Sequence, residues 1–257
     1  MILDTGYRIR HSIKCLYSLE CAFYPVSSIQ YLNKESDHKM YKLTKRIIDI
    51  LIAGIALIIF SPFLIIIIII LLLTGEHEVF FLQKRVGYKN QLFSIWKFAS
   101  MLKNSPNMGT GEITLRNDPR VTWFGKFLRM TKLNEVPQVI NVLKGDMSIV
   151  GPRPLMKVSF EQYPETVQAV IYNCKPGMTG IGSLIFRDEE MIVSMAPDPR
   201  AMYAAIYSYK WTLELWYQKN ASFLTDCKII FLTAWSIIFP KNKLVYSFFR
   251  SLPQRPL

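Results

Sequence analysis

The residues best equipped for chemistry gather in one stretch, Phe124 to Leu155, FGKFLRMTKLNEVPQVINVLKGDMSIVGPRPL. Two carboxylates, Glu135 and Asp146, stand there among Lys126, Arg129, Lys132, Lys144 and Arg153, and a Pro152-Arg153-Pro154 turn closes the stretch. Cations crowded around a few acids suit a phosphate-bearing substrate bridged by a metal ion: guanidinium and ammonium groups pair with phosphate oxygens, and a carboxylate shares the metal with them. On charge alone, a basic solvated helix followed by a loop accounts for the same residues equally well. Upstream, Arg116 and Arg120 flank Asp118 in RNDPR; this is either phosphate recognition or a helix-capping Asp with exposed Arg neighbours. Downstream, Arg187 stands beside Asp188, Glu189 and Glu190, as a salt-bridge cluster or as a ligand clamp.

The elements that must position these groups follow from spacing. Val121 to Leu133 has helical periodicity, with Phe124, Phe127 and Leu128 on one side and Lys126, Arg129 and Lys132 elsewhere. Asn134 is a favoured N-cap for a following helix, Glu135 to Leu143, and Glu135 in the first turn suits its dipole. Ahead of this, β-branched and aromatic residues around Gly-Tyr-Lys-Asn predict a hairpin, with strands Val79 to Arg85 and Leu92 to Phe98 carrying Lys84 and Arg85. Lys103 to Gly111 reads as a loop. Ser159 to Ile171 reads as a helix. Lys175 to Gly182 reads as a turn-rich loop needing unusual backbone angles. Tyr203 to Lys219 is an aromatic-rich helix, and Ser222 to Phe239 an apolar helix lying in a membrane interface, with Trp235 as an anchor.

Composition points to a membrane. The 257 residues are 51% hydrophobic and carry a net charge of +12, with a mean hydropathy of +0.19. That is too apolar for a typical soluble basic protein, and the charge suggests an anionic partner. Ile47 to Leu73 is apolar and longer than the ~20 residues a spanning helix needs. It is either a plain transmembrane helix with a proline kink or a re-entrant helix leaving by the face it entered. Ser61-Pro62 at mid-length predicts a break, with the Ser hydroxyl satisfying a freed carbonyl. Basic residues on both sides (Lys42, Lys45 and Arg46 before; Lys84, Arg85, Lys89 and Lys97 after) favour keeping both ends on the cytoplasmic face. Asp49, just inside the apolar segment, is expected to pair with Lys45 or Arg46 one turn away. Cys15, Cys21, Cys174 and Cys227 show no metal-ligand spacing and read as reduced thiols.

The wording of several pieces adds more: KRIID, Ser61-Pro62, QKRVGYKNQLFSIWKF, RNDPR, FGKFLR, NEVPQ, NVLKGDMSIVGPRP and KPGMTG, spread from about Lys45 to Phe239. Together they closely resemble the bacterial sugar transferases, the monotopic phosphoglycosyl transferases. The resemblance implies an α+β, mostly helical protein: a Ser-Pro-broken re-entrant membrane helix, interfacial amphipathic helices and a small catalytic domain on the cytoplasmic face of the bacterial inner membrane. It implies transfer of a sugar 1-phosphate from a nucleotide-diphosphate sugar to polyprenyl (undecaprenyl) phosphate with Mg²⁺, the first lipid-linked step of a surface glycan. By resemblance, Glu135 and Asp146 are metal ligands, and Arg153 and Arg187 contact the nucleotide sugar. Arg129 sits near the prenyl phosphate, and Lys84, Arg85, Arg116, Arg120, Pro152 and Pro154 complete the substrate contacts. The expected organisation is an extension of unknown role over 1–40, partly helical around Ile13 to Phe23, then a membrane helix over 41–75. A catalytic domain over 76–220 and an interfacial helix with tail over 221–257 follow.

Two positions depart from the family pattern. Ala99 stands where many members have a basic residue, and Asn134 stands where the family's nucleophilic Asp precedes the Glu. A neutral amide is a very poor nucleophile beside a carboxylate. Three accounts follow: Glu135 or a nearby acid such as Asp188 attacks instead; the polyprenyl phosphate attacks directly; or the chain is an inactive scaffold that binds polyprenyl phosphate or nucleotide sugar. A membrane-anchored nucleic-acid binder is the remaining class, and no zinc spacing or helix-turn-helix pattern supports it.

Overall fold

The computed structural model describes residues 35–105, 108, 118–187, 189–239 and 244–254. The expected helix at Ile13 to Phe23, and Arg116 and Asp188, lie outside them. The chain divides into two units, residues 1–40 and 41–257.

The apolar segment is one helix, α1 (Glu35–Leu73), long and apolar enough to cross a membrane. It is helical on both sides of Pro62, which lies inside it. Proline leaves the Ile58 carbonyl without its helical N–H, and Ser61 Oγ donates to that carbonyl at 2.9 Å. The part of α1 within the second unit touches the rest of that unit in two places. At one end Lys45 Nζ donates to Asp226 at 2.5 Å, and the Arg46 guanidinium donates to the carbonyls of Val142 and Leu143. At the other, Ile67 and Leu71 pack with Phe98, Phe124 and Leu128. Between them Ile55, Ile58, Ile59, Phe60, Phe63, Ile65 and Ile66 are exposed. Asp49 does not pair with its helical neighbours. Its Oδ1 accepts from the Ile149 backbone N–H at 2.9 Å, because Lys45 and Arg46 are drawn to partners far along the chain.

The hairpin forms as β1 (Phe80–Val86) against β2 (Leu92–Phe98), with Phe81 opposite Lys97 and Arg85 opposite Phe93. Helix α2 (Trp123–Met130) is shorter than expected and is capped by Thr122, whose side chain accepts from Gly125 N–H. The cap of α2 is thus Thr122 rather than Asp118, which forms a buried ion pair with Arg120 at 2.6 Å. Helix α3 (Gln138–Lys144) starts after Pro137 with no side-chain cap, so the expected Asn134 cap is absent. Asn134 instead lies in a 3-10 turn, Leu133–Glu135, entered through Lys132 at φ 60. Asn141 of α3 extends the hairpin edge: its side chain accepts from Trp96 N–H at 2.9 Å and donates to Ser94 C=O at 2.8 Å.

Strand β3 (Ser148–Val150) pairs in parallel with β4 (Gly177–Thr179). The glycines here are needed for close approach rather than for unusual angles. A Cβ on Gly177 would strike the Gly151 backbone N, and one on Gly180 the Gly151 carbonyl, whereas the positive-φ glycines among the described residues are Gly75 and Gly145. Pro164 divides the expected Ser159 to Ile171 helix into α4 (Lys157–Phe160) and α5 (Glu165–Ile171), since proline closes one helix and opens the next. Helices α6 (Ile181–Ile185), α7 (Glu189–Met195), α8 (Pro199–Asn220), α9 (Phe223–Ile238) and α10 (Leu244–Phe248) follow. They build the largest core, around Ile181, Leu213, Ile229 and Leu232. Helix α9 buries Ile229 and Leu232 and exposes Phe223, Leu224, Ile237 and Ile238.

Candidate active site

A cavity of about 770 Å³ is lined by Leu71 and Thr74 of the α1 end, by Gln83, Arg85 and Lys97 of the hairpin, and by Arg129, Asn134, Glu135 and Arg153. Arg187, Tyr203, Tyr207, Lys210 and Glu214 line it as well. The α2 helix and the left-handed Lys132 turn carry Asn134 and Glu135 to this wall. The β1–β2 alternation brings Arg85 and Lys97 to one face and turns Lys84, opposite Ser94, to the other. Tyr172 pins the Pro-Arg-Pro turn: its hydroxyl donates to Arg153 C=O at 2.7 Å and accepts from Leu155 N–H at 2.9 Å.

Glu135 is the electrostatic centre. Lys97 Nζ and Arg153 Nη2 reach its Oε1 at 3.3 and 3.2 Å. Burial alone disfavours the ionised carboxylate, but the charges of Arg153, Lys97 and Lys132 outweigh it and hold Glu135 well below the usual carboxylate range. Burial lowers Lys97 to about 8 despite the pull of Glu135, and burial together with Arg153 lowers Arg85 to about 10. Glu214 has the opposite fate. Burial raises it to about 8; it is 4% exposed, Arg153 N–H reaches its Oε1 at 3.5 Å, and its Oε2 has no partner. Asn134, 7% exposed, likewise leaves its Oδ1 without a partner.

The sequence-predicted residues divide into three groups. Arg85, Arg129, Asn134, Glu135, Arg153 and Arg187 share the cavity. Arg120 also borders it, but its guanidinium is spent on Asp118 and on the carbonyls of Ser105 and Met108. Lys84, Pro152, Pro154 and Asp146 are not in its lining. Pro152 C=O accepts from Gly177 N–H, Pro154 C=O from Arg85, and Asp146 from Asn141 Nδ2 at 3.2 Å. The structure thus leaves Asp146 outside the cavity that holds Glu135. Arg187 forms no cluster with Glu189: it donates to Ser236 at 2.7 Å, while Glu189 pairs with Lys210. Sequence alone gives Lys97 only as a flanking cation and Glu189 only as a neighbour of Arg187, and it does not single out Lys210 or Glu214. Hairpin register, applied to Arg85, would have found Lys97.

The chain matches the bacterial sugar transferase family over residues 40–240. It belongs to that family. It is 36% identical over 193 residues, 74% of this chain and 39% of the relative, to the UDP-glucose:undecaprenyl-phosphate glucose-1-phosphate transferase of Klebsiella pneumoniae. It is 32% identical over 235 residues, 85% and 46%, to the undecaprenyl-phosphate galactose phosphotransferase of Salmonella typhimurium. It is 35% identical over 201 residues, 77% and 44%, to the UDP-N-acetylgalactosamine-undecaprenyl-phosphate N-acetylgalactosaminephosphotransferase of Aeromonas hydrophila. The chain spans less than half the length of these curated relatives.

Among the described residues no group of three or more His, Cys, Asp or Glu could hold a metal ion. Mg²⁺ does not need such a group, because it is commonly held by one or two carboxylates together with substrate phosphates and water. Glu135 and the unpartnered Asn134 Oδ1 fit that arrangement; Asp146 does not.

Proposed function

We propose that this chain transfers a sugar 1-phosphate from a UDP-sugar to a polyprenyl phosphate, starting a lipid-linked surface glycan. The observation that carries the reading is a cavity in which Lys97, Arg153 and Arg85 surround Glu135 while the end of an apolar helix forms part of the wall. Phosphoryl transfer asks chiefly for charge neutralisation and alignment. Arg153 and Lys97 would take the donor diphosphate, and Arg129, beside Met101, would take the acceptor phosphate. Arg187, fixed by Ser236, would bind the nucleotide sugar. Mg²⁺, held by Glu135 and Asn134, would supply further neutralisation of the diphosphate.

The membrane helix enters and leaves on one face, with the cavity toward the cytoplasm. In support, residues near both ends of α1 contact the same folded unit, the exposed run between them has Ser61-Pro62 near its centre, and basic residues flank both sides. Helices α2 and α9 lie in the interface, with Trp123, Phe127 and Met130 of α2 exposed. Single cysteines placed at Leu43 and His77 in a cysteine-free background should be labelled from the same side; opposite sides would refute the topology.

The activity is tested by UMP release from detergent-purified protein with Mg²⁺, undecaprenyl phosphate and, in turn, UDP-glucose, UDP-galactose and UDP-N-acetylgalactosamine. Release that is lost in Arg153→Ala supports the reading. Donor binding without release from any donor would overturn it in favour of the scaffold that the Asn134 amide also suits.

A further inference from the structure

Every described carboxylate lining the cavity is committed elsewhere. Glu135 accepts from Lys97 and Arg153. Glu189 holds Lys210 at 2.6 Å. Glu76 and Glu78 accept from the Lys103 backbone N–H and its ammonium group. Glu214 lies against the Arg153 backbone and an approach by Gly182 so close that a Cβ there would sit 2.5 Å from its Oε1. Burial keeps it neutral at pH 7. A carboxylate ion-paired to two cations through one oxygen is a weakened nucleophile, a neutral acid is weaker still, and the Asn134 amide is weaker again.

The cavity is also roomy. At about 770 Å³ it lies in the upper part of the ~300–1,000 Å³ range of small-molecule sites. Its lining includes Leu71 and Thr74 at the apolar helix as well as Tyr203, Tyr207 and Lys210 of α8. A lipid phosphate arriving along α1 and a nucleotide sugar arriving from the aqueous side can therefore occupy one space together.

Resting on the transferase reading above and sharpening it, we propose that the sugar phosphate passes in a single step from the UDP-sugar to the acceptor phosphate within a ternary complex, with no covalent sugar phosphate on the chain. A non-bridging oxygen of the acceptor phosphate forms a bond to the donor β-phosphorus. The bond from that phosphorus to the oxygen bridging the α-phosphate breaks, and UMP leaves with the electron pair. The attacking oxygen is already anionic, so no carboxylate is needed as nucleophile or as base. What remains for the protein is alignment and charge neutralisation, the work to which Arg153, Lys97 and Glu135 are suited. Asn134 is then a neutral binding group where an acid would add repulsion toward two phosphates.

The test is kinetic. With UDP-glucose, UDP-galactose or UDP-N-acetylgalactosamine as donor and undecaprenyl phosphate as acceptor, initial rates over both concentrations should give intersecting lines. Omitting the acceptor should abolish UMP release, and radiolabelled UMP should not exchange into the donor. Asn134→Asp, which installs a free carboxylate, should gain an acceptor-independent burst approaching one UMP per chain, with a sugar-phosphate adduct visible by intact mass. Parallel lines, or a burst with an adduct in the parent, would overturn direct transfer while leaving the transferase reading intact; loss of that burst in Glu135→Gln or Asp188→Asn would then locate the nucleophile. No turnover by the parent with both substrates, alongside turnover by Asn134→Asp, would overturn the transferase reading and this proposal with it.

Discussion

Lys97 gives the sharpest pH signature in the site. Its ammonium group faces Glu135 at 3.3 Å, and burial lowers it to about 8. If the charged form is what binds the donor diphosphate, activity must follow its protonation. About nine-tenths of Lys97 is charged at pH 7 and about one-tenth at pH 9, so kcat/KM for the donor should fall about tenfold between them. A phosphate monoester completes its second ionisation near pH 6, so the acceptor adds little slope over this range. Glu135, held far below, does not titrate there. Lys97→Arg keeps the charge at all these pH values and should flatten the profile to less than about a twofold change, even if its absolute rate drops. The assay is UMP release at saturating acceptor, stepped from pH 6.5 to 9.5. A flat profile in the parent, or an equally steep one in Lys97→Arg, would refute the assignment of that slope to Lys97.

Three further outcomes follow from the packing. Glu214 is neutral when folded up to about 8 and ionises from 4.5 upward when unfolded. Between those values the folded state holds the extra proton, so stability declines with rising pH by up to ~1.4 kcal/mol per unit; Glu214→Gln should remove that slope in denaturant titrations. Gly177→Ala drives a Cβ into the Gly151 backbone. It should cost about 1–3 kcal/mol or more, read as a lowered denaturation midpoint, because backbone on both sides cannot yield as a side chain can. Asp226→Ala strands Lys45 and removes the partner of the Tyr41 and Tyr217 hydroxyls. A loss of about 3–5 kcal/mol is expected by the same measurement, and an unchanged midpoint would show that this buried cluster is not fastening α1.

Local rules carried the sequence reading a long way and failed where partners are distant. The hairpin's first strand lies one residue from its expected bounds and its second matches them, because period-two alternation and a turn are local signals. The Ser61 hydroxyl found the carbonyl freed by Pro62 for the same reason. Asp49 was assigned to Lys45 or Arg46 on helical spacing, yet the choice was settled by Ile149, Asp226 and the end of α3. The site behaved alike. Glu135, Arg153, Arg129 and Arg187 were legible as motif residues and meet in one cavity. Lys97 and Glu214 were not, since a lysine in a strand and a glutamate in an aromatic helix acquire their character only from burial beside Arg153. Asn134, read as a helix cap by residue preference, became a cavity residue because Pro137 delays the helix.

The contacts that hold α1 at Lys45 and Arg46 and again at Ile67 and Leu71 bear on how the protein is made. The helix is synthesised ahead of nearly everything that holds it, and Ala53, Ile67 and Leu71 belong to cores completed by residues translated later. Until then its apolar faces have none of these partners. On the membrane reading proposed above, the bilayer is the first partner in folding, and the remainder assembles on a helix lodged there. Excising α1 would leave two open hydrophobic cores and a buried aspartate without its lysine.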